Sequence, residues 1–178
     1  MGRWNTVAAY LEGTRHRKTG TECQDYGEVL TVSDEMILGA LADGAGSVKY
    51  SSHGAELAVK TTLKMLAQVD WNLITSEEET RAVFLKVLDA VGGAFGSRAG
   101  RAGWMIKDMA CTLLAFVATP DWLAAMQVGD GAMVVRTAGG EYELLFTPDK
   151  GEYINTTTFV TSANAGQVLQ TKMIRRPP

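Results

Sequence analysis

The feature that most constrains the fold of this chain is a change in the spacing of its apolar residues. Between residues 51 and 70 apolar side chains recur every three to four positions, which places them on one face of a helix: Ala55, Ala58, Val59, Leu63, Leu66 and Val69. Ser51 or Ser52 is a candidate cap for this helix. A second helix is predicted from Ser76 to about Ala94, because "SEEE" supplies a cap and an acidic first turn. The glycine-rich stretch "GGAFGSRAGRAG" is expected to end this helix in a flexible segment.

Short strands are predicted on both sides of this helical pair. Upstream, residues 4–12, residues 26–33 and the apolar run 36–42 have the composition and length of strands. From Cys111 onward, strand-like segments alternate with turn signals at hairpin spacing: "CTLLAFVA", "WLAAMQV", "AMVVRT", "EYELLF" and "TTTFVTS". Strands, two helices and then an antiparallel meander form the order of an α+β domain, in which helices lie on antiparallel sheets.

Composition narrows the classes of protein to which the chain can belong. Its 178 residues are enough for one domain with a real core, and its net charge of −3 implies no general affinity for nucleic acid. No apolar run reaches the roughly 18 residues of a membrane span, and the N-terminus lacks the order of a signal peptide. A cytoplasmic protein without membrane attachment is therefore expected, with Cys23 and Cys111 as free thiols.

The stretch "LADGAGS" places a carboxylate, Asp43, at the end of an apolar strand and surrounds it with small residues. A type I′ hairpin turn would need a second strand, but a helix is predicted to follow. A phosphate-binding glycine-rich loop would need Lys and then Ser or Thr after its last glycine, and Val48 and Lys49 do not fit. Hard divalent cations take carboxylate and carbonyl oxygens, so a metal site at Asp43 and Gly44 remains open beside a simple turn.

Three further motifs are ambiguous when each is considered alone. "CQDYG" places Asp25 before a strand, where an Asx turn is the simpler interpretation. "ACTLL" is explained by the start of a buried strand in which Thr112 is hydrogen-bonded to a neighbour. "QVGDGAMVV" favours a hairpin turn, although it repeats the pattern of an apolar strand that delivers an aspartate, Asp130, beside glycine. Arg15 and His16 belong to a basic run that is either a solvated face or a site for a phosphate dianion.

Taken together, in this order and spacing, the four motifs resemble the metal-dependent protein phosphatase family, type 2C (PPM). The resemblance runs from about Tyr10 to Ser162, and "TRHRKTGTECQDY" is most similar to a prokaryotic branch of that family. It implies a hydrolase for phosphoserine and phosphothreonine proteins that uses two or more Mg²⁺ or Mn²⁺ ions. It also implies a fold of two packed antiparallel sheets with helices on both outer faces.

The resemblance assigns roles to individual residues. The bridging aspartate of the family falls on Asp43 and its carbonyl ligand on Gly44, while Asp25 matches an acidic residue that acts through metal-bound water. Asp130 matches a residue associated with a further metal site. The catalytic pair would then be Asp43 and Asp25. Arg15 and His16 become candidates for binding the substrate phosphate, as the phosphate interpretation of the basic run suggests.

The chain departs from the family pattern in two places. Gln24 stands where many members have a metal-ligating glutamate, so one ion is expected to bind less tightly. The later Asp-Gly and Asp-Asn ligands of the family do not occur in the sequence, so residues 1–178 are expected to form one domain that is incomplete at its C-terminus. Low or absent activity is expected. The alternative is a non-catalytic phosphatase-like module that binds a phosphoprotein or partner chain, and the oligomeric state is left open.

Overall fold

A five-stranded antiparallel sheet forms the centre of the computed structural model, which describes residues 4–20, 22–147 and 157–175, apart from the side chains at positions 15, 16 and 19. The strand order is β1-β2-β3-β4-β7, with bounds Tyr26–Ser33, Met36–Ala42, Leu113–Ala118, Trp122–Val128 and Gln170–Arg175. A second, two-stranded sheet pairs β5 (Val134–Arg136) with β6 (Tyr142–Leu144). The α+β prediction is confirmed.

Four α-helices accompany these sheets in the described part of the chain: α1 (Thr14–Thr19), α2 (Ser51–Leu66), α3 (Glu77–Ala102) and α4 (Ala165–Val168). Short 3-10 helices occupy Trp71–Leu73 and Ile106–Met109. None of the described helices combines the length and hydrophobicity needed to cross a bilayer.

The two faces of the large sheet bury different sets of side chains, because successive residues of a strand point to opposite faces. One face packs on α2 and α3 and forms the main core, with Leu38, Leu113, Val117, Met126, Val59, Phe84 and Phe95 among its buried members. The other face forms a smaller cluster in which Ala125 packs with Leu145 and Phe146. The small sheet lies on this second side, so the core of the chain is strongly asymmetric.

The start of α3 confirms the predicted cap, but its end does not. Ser76 Oγ accepts a hydrogen bond from the backbone N–H of Glu79 at 3.1 Å, and Glu79 Oε2 accepts one from the N–H of Ser76 at 3.1 Å. The helix then continues through the glycine-rich stretch to Ala102. Val91, Phe95 and Ala99 are buried at intervals of four residues across that stretch. Tertiary packing of this apolar face therefore outweighs the low helix propensity of glycine.

Several other predicted elements are wrong in their bounds or type. Residues 4–12 and 157–162 contain no strand, and part of the basic loop forms α1. Helix α2 ends at Leu66 rather than near residue 70, and Trp71 Nε1 donates to the carbonyl of Leu66 at 3.0 Å just beyond that end. Tyr50, rather than a serine, is the N-cap residue of α2, and it makes no side-chain cap bond.

Helix α2 approaches the segment before β3 without space for a side chain at Gly54. A Cβ atom at this position would overlap the carbonyl oxygen of Met109, which is backbone and cannot rotate away. At Gly92 on α3, by contrast, a Cβ atom would meet nothing within 4 Å.

We predict opposite effects of the same substitution at these two helical positions. Gly54→Ala is expected to lower the free energy of unfolding by about 2–3 kcal/mol, because α2 must move away from Met109. Gly92→Ala is expected to raise it by about 0.5–1 kcal/mol, because alanine restricts the unfolded chain without a steric cost. Urea unfolding followed by circular dichroism measures both changes. Equal stability of the two variants would contradict the close packing of α2.

The two cysteines are free thiols in the structure, as expected, but they differ in environment. Cys23 is half-buried, whereas Cys111 is fully buried. Burial, with the charge of Asp43 as a smaller cause, raises the pKa of the Cys111 thiol to about 12.

We predict that about one thiol per native chain reacts with Ellman's reagent at pH 8, since the thiolate is the reactive species. Cys111 stays protonated and inaccessible at that pH, so the reacting group is Cys23. Unfolding in urea is expected to expose the second thiol. The variant Cys23→Ser is the control, and rapid labelling of its native form would show that Cys111 is not protected.

Candidate functional site

A cleft of about 450 Å³ lies at one end of the large sheet and brings together the three aspartates singled out by the sequence. Asp25, Asp43 and Asp130 line it with apolar and small residues, among them Tyr10, Leu11, Leu41, Thr112 and Leu114. Asp25 is half-buried, whereas Asp43 and Asp130 are exposed. The convergence of carboxylates predicted from the motifs is therefore present in the fold.

The antiparallel order of the strands explains this convergence. Tyr26 of β1 pairs with Ala42 of β2, so Asp25, which precedes β1, lies beside Asp43, which follows β2. Leu113 of β3 pairs with Val128 of β4, which brings the segment that carries Asp130 to the same end of the sheet. The start of one strand and the end of its antiparallel neighbour always lie at the same end of the sheet.

Thr112 holds the backbone of Asp43 from two sides. Its Oγ1 accepts a hydrogen bond from the N–H of Asp43 at 3.0 Å, and its own N–H donates to the carbonyl of Asp43 at 2.9 Å. The side chain of Thr112 is buried. The expectation that Thr112 bonds to a neighbour is confirmed, and that neighbour is the aspartate of the first motif.

Gly44 is fixed by close contacts with the backbone around it. Its N–H donates to the carbonyl of Gln24 at 3.2 Å, and it forms an isolated bridge with Cys111. A Cβ atom at Gly44 would lie 2.5 Å from the carbonyl oxygen of Gln24 and 3.0 Å from Ser51. Packing between the loop and α2 therefore requires a glycine here, independently of any bound ion.

Asp130 lines the cleft, but the segment that carries it is not the hairpin turn that its composition predicts. The segment Gly129-Asp130-Gly131 does not join a hairpin, because β4 pairs with β3 and β7 while β5 pairs with β6. Gly129 adopts φ +107°, and a Cβ atom there would lie 2.6 Å from Cγ2 of Thr112. The hairpin interpretation is wrong, and contact with Thr112 shapes this segment instead.

Gln127 is a residue of the site that the sequence motifs did not single out. Its side chain is fully buried on β4, and Nε2 donates to the carbonyl of Gly129 at 3.1 Å, one residue before Asp130. This bond ties the end of the strand to Gly129, while Oε1 of Gln127 is buried without a hydrogen-bond partner among the described residues. The available signal was a glutamine inside the apolar run "WLAAMQV" immediately before Gly-Asp-Gly.

The carboxylates are spread around the cleft rather than clustered. Within the described residues, no group of three or more His, Cys, Asp or Glu side chains is arranged to hold a single metal ion. The side-chain oxygen Oε1 of Gln24, the residue before Asp25, is buried and has no hydrogen-bond partner among the described residues. Any cation bound here would therefore contact the protein at few points and would keep most of its water.

The predicted phosphate ligands Arg15 and His16 lie in α1, but their side chains are outside the described part of the structure. Their proposed contact with a phosphate group therefore stays a prediction.

Comparison with known proteins places the chain in a family. The sequence profile of the family described as Protein phosphatase 2C matches residues 12–178. Serine/threonine-protein phosphatase 3 of Escherichia coli (strain K12) is 31% identical over 172 residues, covering 94% of this chain and 67% of that protein.

Two solved structures illustrate the shared fold. Serine/threonine phosphatase Stp1 from Staphylococcus aureus has a TM-score of 0.66 at 13% identity, covering 98% of this chain and 75% of that chain. The catalytic domain of serine threonine protein phosphatase PstP, in complex with 2 manganese ions, has a TM-score of 0.53 at 18% identity, covering 87% and 66%. With the profile match over nearly its whole length, the chain belongs to the protein phosphatase 2C family.

Proposed function

We propose that this chain is a metal-dependent protein serine/threonine phosphatase domain that hydrolyses phosphomonoesters in the cleft of Asp25, Asp43 and Asp130. The observation that carries the proposal is the meeting of these three carboxylates at one end of the sheet, within the fold of a phosphatase family. Phosphoserine and phosphothreonine proteins are the substrate class that the family match supports.

The donor atoms of the cleft fit Mg²⁺ or Mn²⁺. Among the described residues that line it, the charged groups are carboxylates and none is a His or Cys, and hard divalent cations prefer such oxygen ligands. Asp43 and the carbonyl of Gly44 would hold the ions directly, Asp25 would act through metal-bound water, and Asp130 would serve a further metal site. The volume of about 450 Å³ leaves room for ions with much of their hydration shell. The manganese-bound relative PstP supports this assignment.

The chemistry that this cleft supports is in-line attack of water on phosphorus. Bound divalent cations would offset the charge of the phosphate dianion and lower the pKa of water. The backbone of Asp43 forms two hydrogen bonds with Thr112, so its carboxylate projects into the cleft from a fixed backbone. Asp25 is half-buried beside it and orients the attacking water. The phosphorus–oxygen bond to the serine or threonine breaks, and the leaving oxygen takes a proton from water.

We further propose that this 178-residue chain is by itself a weak or inactive catalyst. The described residues offer no group of three ligands for one ion, and Gln24 contributes a neutral amide instead of a carboxylate. The same observations favour a second function of a different class, a non-catalytic phosphatase-like module that binds a phosphoprotein or partner. Mn²⁺ affinity separates the two, because a module without catalytic metals has no need to bind them.

We predict that Asp43→Asn lowers the affinity for Mn²⁺ at least about tenfold, because it removes the central negative charge of the cleft. Hydrolysis of p-nitrophenyl phosphate is expected to become undetectable in the same variant. Isothermal titration calorimetry measures the first effect and absorbance at alkaline pH the second.

The matched control is Asp121→Asn, which removes the same charge in the turn between β3 and β4, at the opposite end of these strands. Its Mn²⁺ affinity is expected to equal that of the original chain. If Asp43→Asn also leaves the affinity unchanged, Asp43 does not belong to a metal site. Absence of Mn²⁺ binding to the original chain would favour the non-catalytic module.

A second prediction concerns Thr112, which we infer to be a positioning residue. Thr112→Val preserves shape but leaves the N–H of Asp43 without its acceptor, at a cost of about 1–3 kcal/mol in the free energy of unfolding. Thr112→Ser keeps the hydroxyl and is expected to retain Mn²⁺ affinity, whereas the valine variant loses it several-fold. Isothermal titration calorimetry measures the Mn²⁺ affinity of both variants. Equal Mn²⁺ affinity in the two would show that this hydroxyl does not position Asp43 for binding.

A further inference from the structure

A second surface outside the cleft combines stacked aromatic rings with several cations. It is formed by residues 49–53, at the start of α2, and residues 98–107, from the end of α3 into the following 3-10 helix. We call it the Trp104 surface. Neither the aspartate motifs nor the proposed hydrolysis uses it.

A column of stacked side chains gives this surface a fixed shape. The rings of Tyr50 and Trp104 are nearly parallel, with centroids 3.7 Å apart. The Arg98 guanidinium lies over the Trp104 ring at 5.0 Å, and the Lys49 amine lies over the Tyr50 ring at 5.1 Å. His53 meets Trp104 edge to face at 5.3 Å. Tryptophan and tyrosine are rigid and lose little entropy on binding, and together with arginine they are enriched among the residues that dominate the energetics of protein interfaces.

The charges of the Trp104 surface are unbalanced. Its two segments and the adjoining Asp108 contain four cations, Lys49, Arg98, Arg101 and Lys107, against a single carboxylate. No carboxylate among the described residues forms a salt bridge with any of the four. This local excess contrasts with the net charge of −3 of the whole chain.

Two exposed apolar side chains lie between two of these cations in the sequence. Met105 is 57% exposed and Ile106 is 44% exposed, and they lie in sequence between Arg101 and Lys107. Methionine, tryptophan, tyrosine and arginine are enriched at protein interfaces relative to other surfaces. The composition of this surface is therefore that of a docking site that combines exposed apolar side chains with cations.

We propose that the Trp104 surface docks an acidic segment of a partner protein that carries one or two apolar side chains. Carboxylates of the segment pair with the cations of the surface, and its apolar side chains cover Met105 and Ile106. A nucleic acid fits less well, because stacking of bases needs a free aromatic face. The facing sides of Trp104 and Tyr50 are stacked on each other, and Arg98 and Lys49 lie over the two rings.

The surface is joined to the cleft by a short ladder of backbone hydrogen bonds. The N–H of Tyr50 donates to the backbone carbonyl of Asp108, that of Ala45 to the carbonyl of Ala110, and that of Thr112 to the carbonyl of Asp43, each at 2.9 Å. The Trp104 surface lies at one end of this ladder and Asp43 at the other. A segment docked there occupies neither the cleft nor its aspartates, so the proposal does not depend on catalytic activity.

The test is a binding titration of the full chain with a labelled synthetic peptide in which Asp and Glu residues flank a Leu-Phe pair. Fluorescence anisotropy is expected to show saturable binding that weakens as salt is added, because exposed charges are screened. The double variant Arg101→Glu with Lys107→Glu is expected to weaken binding at least about tenfold. Met105→Ser is expected to weaken it by a factor of about three or more.

The matched control is Lys64→Glu with Lys86→Glu, which makes the same change in net charge at exposed positions elsewhere on α2 and α3. It is expected to bind as the original chain does, and circular dichroism confirms that all variants are folded. The proposal is overturned by absence of saturable binding, by equal binding of a peptide with Asn and Gln in place of Asp and Glu, or by equal loss in the control. Tighter binding of a polyuridine oligonucleotide than of the acidic peptide also overturns it, in favour of nucleic acid.

Discussion

The paired hydrogen bonds between Asp43 and Thr112 are the contact on which the site depends. They continue the pairing of β2 with β3 beyond the regular strands, because the N–H and carbonyl of Asp43 both find partners in Thr112. The backbone that carries the Asp43 side chain is therefore as constrained as that of a strand. The same threonine contacts the position of Gly129, so one buried residue helps to place two of the three aspartate-bearing segments.

Sequence reasoning succeeded where local periodicity and tertiary structure agree. The apolar runs of β2, β3 and β4 were identified, and their antiparallel order is sufficient to bring Asp25, Asp43 and Asp130 to one end of the sheet. Alone, each motif had an adequate local explanation. Their common location became predictable only from their joint order and spacing, since convergence depends on strand pairing over long separations.

The errors arose where packing at a distance overrides local signals. Glycines at positions 92, 93 and 96 indicate a helix end, yet α3 continues because Phe95 and Ala99 remain buried against the core. Gly129-Asp130-Gly131 has the composition of a hairpin turn, yet β4 finds both of its partners elsewhere in the sheet. The role of Gln127 was missed, because the acceptor of its amide becomes apparent only when the strand end is folded.

The glycines around Asp43 carry less information about function than their pattern suggests. They were expected to admit hydrated metal to the backbone, but Gly44 is required by its contacts with Gln24 and Ser51, and Gly129 by its contact with Thr112. A non-catalytic descendant of the same fold would need both glycines for packing alone. The carboxylates are different, because Asp43 and Asp130 are exposed and line a cleft in which carboxylate oxygens can bind a divalent cation. Discrimination between an enzyme and a binding module in this fold therefore rests on the acidic side chains and not on the glycines beside them.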